Sequence, residues 1–133
     1  MEKWKKWLPI ENLLPKYNIF SIFDYYKGLE IILSDINDNE NKIKIIFDGV
    51  DISYRRVAEG FRYKKILEID DVYGKEFYSK WTFFTIYNSK YIEWLNIESC
   101  GIYENFELKH FYFLCADAIL DVISMENPII EIL

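Results

Sequence analysis

The fold is decided by one continuous stretch at residues 80–98, which reads KWTFFTIYNSKYIEWLNIE. Its first part, residues 80–87, carries aromatic and β-branched side chains at both alternating sets of positions, which predicts a central strand covered on both faces. Ser89 is a residue type that caps helix N-termini, and apolar residues then recur at helical spacing until Gly101, a typical helix stop. The stretch therefore predicts a strand followed by a helix at 89–98.

Strand patterns also precede this stretch. Residues 17–26, 29–34 and 43–47 are rich in apolar and aromatic residues and are separated by turn signals, which are Gly28 and the polar run 35–41. Short apolar runs divided by such turns are typical of hairpins. We therefore predict an antiparallel meander of three strands in the first half of the chain.

The two ends of the chain give simpler patterns. Further strands are predicted at 106–115, 119–124 and 128–130. Residues 1–16 are amphipathic but contain Pro9 and Pro15, and proline interrupts regular hydrogen bonding. This segment is therefore predicted to be a short helix or an irregular arm docked on the body.

Residues 50–73 give the weakest pattern. Residues 50–54 could extend the sheet, whereas residues 54–59 could form a helical turn before Gly60, and residues 67–73 suggest a weak strand or a loop. The whole pattern predicts an α+β fold: a mostly antiparallel sheet of about five or six strands, one main helix packed on it, and an N-terminal arm. A length of 133 residues suits a single domain over residues 1–133.

Composition favours a binding protein. Hydrophobic residues make up 51% of the chain and aromatic residues 19%, which is enough for a core with aromatic side chains left over for the surface. Binding interfaces favour exposed Tyr and Trp. The net charge of −6 disfavours nucleic acid and anionic lipid as partners and suits a basic partner, although an acidic balance also simply keeps a protein in solution.

Cysteine usage and the N-terminus predict a location. The first residues lack the apolar core of an export signal, and no apolar run reaches the roughly 18 residues that span a bilayer. We therefore expect a cytoplasmic protein that does not enter a membrane. In that compartment Cys100 and Cys115 are expected to be reduced and inert.

No pattern for metal binding or catalysis is complete. Residues 35–46 begin like a calcium loop, but Glu40 stands where glycine is needed and Ile46 where an acid is needed. His110 is the only histidine, and the two cysteines lack the short spacing of a zinc site. We therefore expect no metal, no cofactor and no enzymatic activity, with His110 as a buried or hydrogen-bonded structural residue.

A basic and aromatic segment spans residues 54–65. It contains Arg55, Arg56, Arg62, Lys64 and Lys65 interleaved with Tyr54, Phe61 and Tyr63. Such interleaving is typical of nucleic-acid binding, but four acids follow within residues 68–76 and weaken the local field. A solvated edge of the sheet and a protein-binding loop are the alternative interpretations.

An acidic cluster surrounds the predicted helix, and we predict that it binds a partner. The candidate partner-binding residues are Glu93, Trp94, Glu98, Tyr103, Glu104 and Glu107. Their carboxylates are expected to be exposed, whereas Trp94 could belong either to the core or to the interface. Acids beside exposed aromatic rings would form a recognition face for a basic partner.

Three runs resemble a known group of proteins. The run from Trp81 to Leu95, with Leu108 to Tyr112 and the closing run from Ile119, resembles small bacterial immunity proteins encoded beside polymorphic or contact-dependent toxins. The resemblance covers about residues 17–130. It implies binding to a cognate toxin domain, commonly a nuclease, and occlusion of its active site or of substrate access. It assigns no catalytic residues.

Two other classes of function stay open. One is a small enzyme or ligand-binding domain with an aromatic-lined pocket in the sheet, and the other is a structural subunit of a larger bacterial assembly. An enzyme should show a deep pocket with convergent polar groups. An immunity protein should have a toxin gene immediately upstream.

Overall fold

Nine strands form two antiparallel sheets in the computed structural model, which describes the backbone of residues 1–133 and every side chain except that of Tyr78. The strands are β1 (Lys3–Lys6), β2 (Tyr17–Tyr25), β3 (Gly28–Asp35), β4 (Lys42–Asp48), β5 (Ser53–Ala58), β6 (Phe83–Tyr87), β7 (Lys109–Leu114), β8 (Ala118–Ser124) and β9 (Ile129–Ile132). One sheet has the order β1-β6-β7-β8-β5, and the other has the order β2-β3-β4-β9.

Helical elements connect β5 to β6 and β6 to β7. They are a 3₁₀ turn at Glu59–Arg62 and the helices α1 (Tyr63–Tyr73), α2 (Glu76–Ser79) and α3 (Lys90–Glu98). The predicted helix at 89–98 is therefore confirmed as α3.

The expectation of a weak strand or loop at 67–73 is wrong, because these residues complete α1. Its buried residues Ile66 and Ile69 are three apart and share one face, and the backbone N–H of Gly74 closes the end on the carbonyl of Asp70 at 2.8 Å.

Side chains from both sheets share one apolar core. Leu29, Ile31 and Phe47 enter it from the four-stranded sheet, and Phe83 and Phe113 enter it from the five-stranded sheet. The rings of Phe47 and Phe113 meet edge-on between the sheets with centroids 6.4 Å apart, a favoured geometry for aromatic pairs. The two sheets therefore pack face to face.

The five-stranded sheet has a second core on its opposite face. Phe84, Tyr112 and Ile119 point to that side, where Ile66 of α1 and the ring of Phe77 cover them. Alternate residues of β6 thus enter different cores, because successive side chains of a strand point to opposite faces. The predicted coverage of this strand on both faces is confirmed.

The meander predicted for the first half of the chain is confirmed as β2, β3 and β4. Gly28 makes the first turn possible. Its φ is +140°, and a side chain there would collide with the backbone carbonyl of Phe47. The turn therefore requires glycine at this position.

The N-terminal arm is more regular than expected. Residues 3–6 pair with β6 as an edge strand, with Trp4 opposite Ile86, and the backbone N–H of Trp7 continues the contact to the carbonyl of Phe83 at 3.0 Å. Proline follows only at Pro9, after the strand has ended. The arm thus covers an edge of the five-stranded sheet by joining it.

The α+β class and the mostly antiparallel pairing are confirmed, but there are nine strands in two sheets where five or six in one sheet were expected. The ambiguous residues 53–58 pair with β8, and residues 3–6 pair with β6. The strand predicted from residue 106 begins only at Lys109, because successive turns occupy residues 101–108. Among the described residues, no helix has the length and apolar character that crossing a membrane requires.

Candidate functional site

Helix α3 is fixed at both ends by local hydrogen bonds. At its start the hydroxyl of Ser89 accepts the backbone N–H of Ile92 at 3.1 Å, which is the geometry of an N-cap. At its end the N–H of Gly101 donates to the carbonyl of Asn96 at 2.9 Å. Cys100 and Gly101 both have positive φ, so the chain reverses sharply there. The loop after α3 therefore leaves the helix in a defined direction.

A further contact holds that loop against the body. The hydroxyl of Tyr103 donates a hydrogen bond of 2.9 Å to Asp51, and this bond, with the negative charge of Asp51, raises the pKa of Tyr103. Turn hydrogen bonds from Glu104 to Gly101 and from Phe106 to Tyr103 complete the loop.

The outer side of α3 and of this loop combines exposed apolar and acidic side chains. We call it the acidic surface, and it consists of Glu93, Trp94, Ile97, Glu98, Ile102, Glu104, Phe106 and Glu107. Its four large apolar side chains are between 54% and 70% exposed. Residues 91–108 contain four glutamates and no lysine or arginine. Within the described side chains, none of these carboxylates takes part in an ion pair.

The structure brings the predicted partner-binding residues together only in part. Glu93 and Glu104 line one open cavity of about 1020 Å³, whereas Glu98 and Tyr103 line a neighbouring cavity of about 350 Å³. Glu107 lies apart, in a cavity whose wall also contains Lys5, Lys6 and Lys109. The cavity of Glu93 and Glu104 contains one lysine, Lys90, against the three lysines around Glu107, so the negative field is centred on the first three glutamates.

Trp94 belongs to the surface. Its side chain is 55% exposed, and the neighbouring Tyr91 is the residue that α3 buries. The Tyr91 hydroxyl lies 2.6 Å from the hydroxyl of Ser53, and its ring meets the His110 ring edge-on. Because Tyr91 occupies the position over the sheet, Trp94 lies at the margin, where it is exposed.

A buried polar network lies beneath α3. The hydroxyl of Ser89 is 2.7 Å from Nδ1 of His110, and Nε2 of His110 is 2.6 Å from the carboxylate of Asp121. The second oxygen of Asp121 contacts the guanidinium groups of Arg55 at 3.1 Å and Arg62 at 3.5 Å. His110 is thus buried and hydrogen-bonded, as the sequence predicted.

Burial by itself raises the pKa of the Asp121 carboxyl. The hydrogen bonds and charges of His110 and Arg55 outweigh that effect and hold the pKa below its ordinary value. Asp121 is therefore ionised at neutral pH although it is fully buried. A buried carboxylate needs such partners because its water shell is lost.

Ser89, His110 and Asp121 are linked in the order of a hydrolase triad, but the two ring nitrogens are exchanged, because Nδ1 faces the serine and Nε2 faces the aspartate. The surroundings also favour a structural role. The Ser89 hydroxyl already caps α3. The backbone N–H of Lys90, the residue after the serine, donates to the carboxylate of Glu2 at 2.9 Å and is therefore not free to stabilise an oxyanion. The network therefore ties α3 to β7 and β8. Asp121, the one charged residue in its strand, was the signal that the sequence offered for it.

The basic segment 54–65 does not form one surface. Arg55 and Arg62 point to the buried Asp121, and Lys65 pairs with Glu2 at 3.5 Å and with Glu68 at 3.1 Å. Three of its five cations are thus engaged with carboxylates, which weakens the field that a nucleic acid would need. Its rings Phe61 and Tyr63 are exposed.

The remaining candidate chemistry is sparse. Cys115 is buried, and burial raises the pKa of its thiol, whereas Cys100 is exposed. Among the described side chains, no group of three or more His, Cys, Asp or Glu residues is arranged to hold a metal ion. Comparisons with protein-family models, with curated proteins and with solved structures found no match for this chain.

Proposed function

We propose that this protein binds another protein through the acidic surface and that its partner is a bacterial toxin domain, as the resemblance to immunity proteins suggests. The observation that supports the proposal best is the combination of exposed Trp94 and Ile97 with carboxylates that have no cation among residues 91–108. Large exposed apolar groups framed by charges are typical of interfaces.

The acidic surface also has the rigidity of a binding surface. The Ser89 cap, the reversal at Gly101 and the bond from Tyr103 to Asp51 fix α3 and its loop before any partner arrives. A surface that is already ordered loses less conformational entropy on binding. We therefore expect Trp94 to act as an anchor with a rim of carboxylates around it.

The charge of the acidic surface selects a basic partner. A nuclease holds the phosphates of its substrate with clustered Lys and Arg side chains. Glu93, Glu98 and Glu104 would occupy the positions of those phosphates and block access of the substrate. Opposite charges mainly raise the association rate and exclude partners of the wrong charge.

Charge reversal tests this interface. Glu98→Lys combined with Glu104→Lys changes both neighbouring cavities at once, because each residue lines a different one. The double variant is expected to weaken toxin binding by about 0.2–1 kcal/mol for each solvated pair, and by several kcal/mol for a pair that loses its water. Affinity and association rate are measured by surface plasmon resonance.

The matched control is Glu11→Lys combined with Glu40→Lys. Both residues are exposed, both lie outside residues 91–108, and the change in net charge is the same. If the control weakens binding as much as the test pair, the effect comes from net charge alone and the proposed interface is wrong. Equal thermal stability of the two variants shows that the fold is unchanged.

A further inference from the structure

A smaller cavity lies on the helix face of the five-stranded sheet. It adjoins the large open cavity of the acidic surface and shares Glu2, Ile86 and Lys90 with it. Its volume is about 250 Å³, and its walls come from all five strands of that sheet, the 3₁₀ turn, α1 and α3. A water molecule occupies about 30 Å³ of liquid and a drug-sized ligand needs roughly 300 Å³ or more, so the cavity suits a small ligand.

Two buried polar atoms in its wall have no partner. The hydroxyl of Tyr112, a residue that is 1% exposed, makes no hydrogen bond within the described residues, and neither does Nε1 of Trp4. The two rings are neighbours, with centroids 6.2 Å apart. Nearly all buried polar atoms in proteins have a hydrogen-bond partner. Two unsatisfied polar atoms in the wall of one cavity therefore indicate a missing partner. The indole N–H can only donate, and the missing partner must therefore accept.

The charged groups around the cavity also have more hydrogen-bond donors than the carboxylates in its wall accept. Arg55, Arg62 and Lys65 line it, and the side chains of the last two are only 18% and 21% exposed. The two carboxylates in the wall are already used. Asp121 is held by His110 and the two arginines, and Glu2 accepts from Lys65 and from the backbone of Lys90. Each guanidinium has five N–H donors, and within the described side chains one nitrogen of each pairs with Asp121, so the others can reach a ligand.

We propose that this cavity binds a small oxyanion, either a phosphate or a carboxylate group, which accepts hydrogen bonds from the Trp4 indole and the Tyr112 hydroxyl. Arg62 supplies the balancing charge, and Arg55 is held 4.4 Å over the ring of Tyr91 beside it. Trp94 of the acidic surface also lines this cavity, but the proposal rests on different observations, which are the unpartnered atoms of Trp4 and Tyr112 and the cations in the wall. Its ligand is an anion, whereas the acidic surface would bind a basic protein.

The test is the melting temperature of the full chain in inorganic phosphate, in acetate and in sodium chloride of the same ionic strength. A ligand that binds only the folded state raises the melting temperature with its concentration. We expect a saturating rise with phosphate or with acetate, and the one that acts identifies the oxyanion. Tyr112→Phe and Trp4→Phe should each weaken this binding about tenfold, since each removes one hydrogen bond to a charged group.

Tyr63→Phe is the matched control, because Tyr63 is exposed and lies outside the cavity. In chloride alone, Tyr112→Phe should be at least as stable as the wild type, since it removes a hydroxyl that has no partner. Retention of full anion response in both cavity variants, or the absence of any response in the wild type, would overturn the proposal and leave a cavity filled only with water.

Discussion

Replacing Asp121 by alanine is expected to lower the free energy of unfolding by about 3–5 kcal/mol, the range typical of a buried ion pair that loses one partner. The carboxylate holds His110 at 2.6 Å and Arg55 at 3.1 Å, and Arg62 approaches it at 3.5 Å. Without the Asp121 carboxylate, the histidine and the two guanidinium groups remain close together with no anion between them. Urea unfolding measures the loss.

Asp71→Ala is the control, because Asp71 is exposed on α1, where substitutions change stability by about 0.5 kcal/mol or less.

The pH dependence of stability gives a second readout. Folding lowers the pKa of Asp121. The contribution of this carboxylate to the free energy of unfolding is therefore fully present above about pH 4 and is lost as the pH falls further. The difference in the free energy of unfolding between the wild type and Asp121→Ala should therefore become smaller at acidic pH. A loss below 1 kcal/mol at neutral pH would show that the network does not hold α3 to the sheet.

Replacing Phe113 by alanine is expected to cost about 3–5 kcal/mol, because a large ring would be removed from a filled core. Phe113 is fully buried, and its ring contacts those of Phe47, Phe83 and Trp7 between the two sheets. The surrounding rings belong to different sheets and cannot all move inward to fill the space. Denaturant unfolding followed by circular dichroism measures the effect.

Phe61→Ala removes the same side chain from an exposed position and should change stability by about 0.5 kcal/mol or less. Similar losses in the two variants would mean that the sheets do not meet through this aromatic cluster. The face-to-face packing of the two sheets would then be incorrect.

Local patterns predicted the parts of the fold that depend on neighbours in sequence. The strand and helix in residues 80–98 and the meander of β2 to β4 were predicted because alternation, caps and turn residues are local signals. Helix α1 was missed because Ile66, Ile69 and Val72 are β-branched and favour strands, although all three follow at intervals of three residues and the first two share a buried face. The division into two sheets depends on which strands pair, and no local pattern records it.

In the candidate site, too, some features follow from the local sequence and others depend on contacts between distant segments. The acidic surface is continuous in sequence, and its exposed carboxylates could be predicted from residues 91–108 alone. The polar network could not, because Arg62 and Asp121 meet only after β5 and β7 have paired with β8. A single aspartate in an apolar strand indicates that a partner must exist, but not which residue supplies it.

The most direct test of protein binding is titration calorimetry with the protein encoded immediately upstream, where the proposed function expects a toxin domain, paired with an assay of toxin activity. We predict a saturable complex in which each molecule of this protein abolishes the activity of one toxin domain. Binding should weaken as salt is added, since screening removes the attraction between carboxylates and basic side chains. The absence of a complex at micromolar concentrations, or a complex that leaves the toxin fully active, would contradict the proposed function.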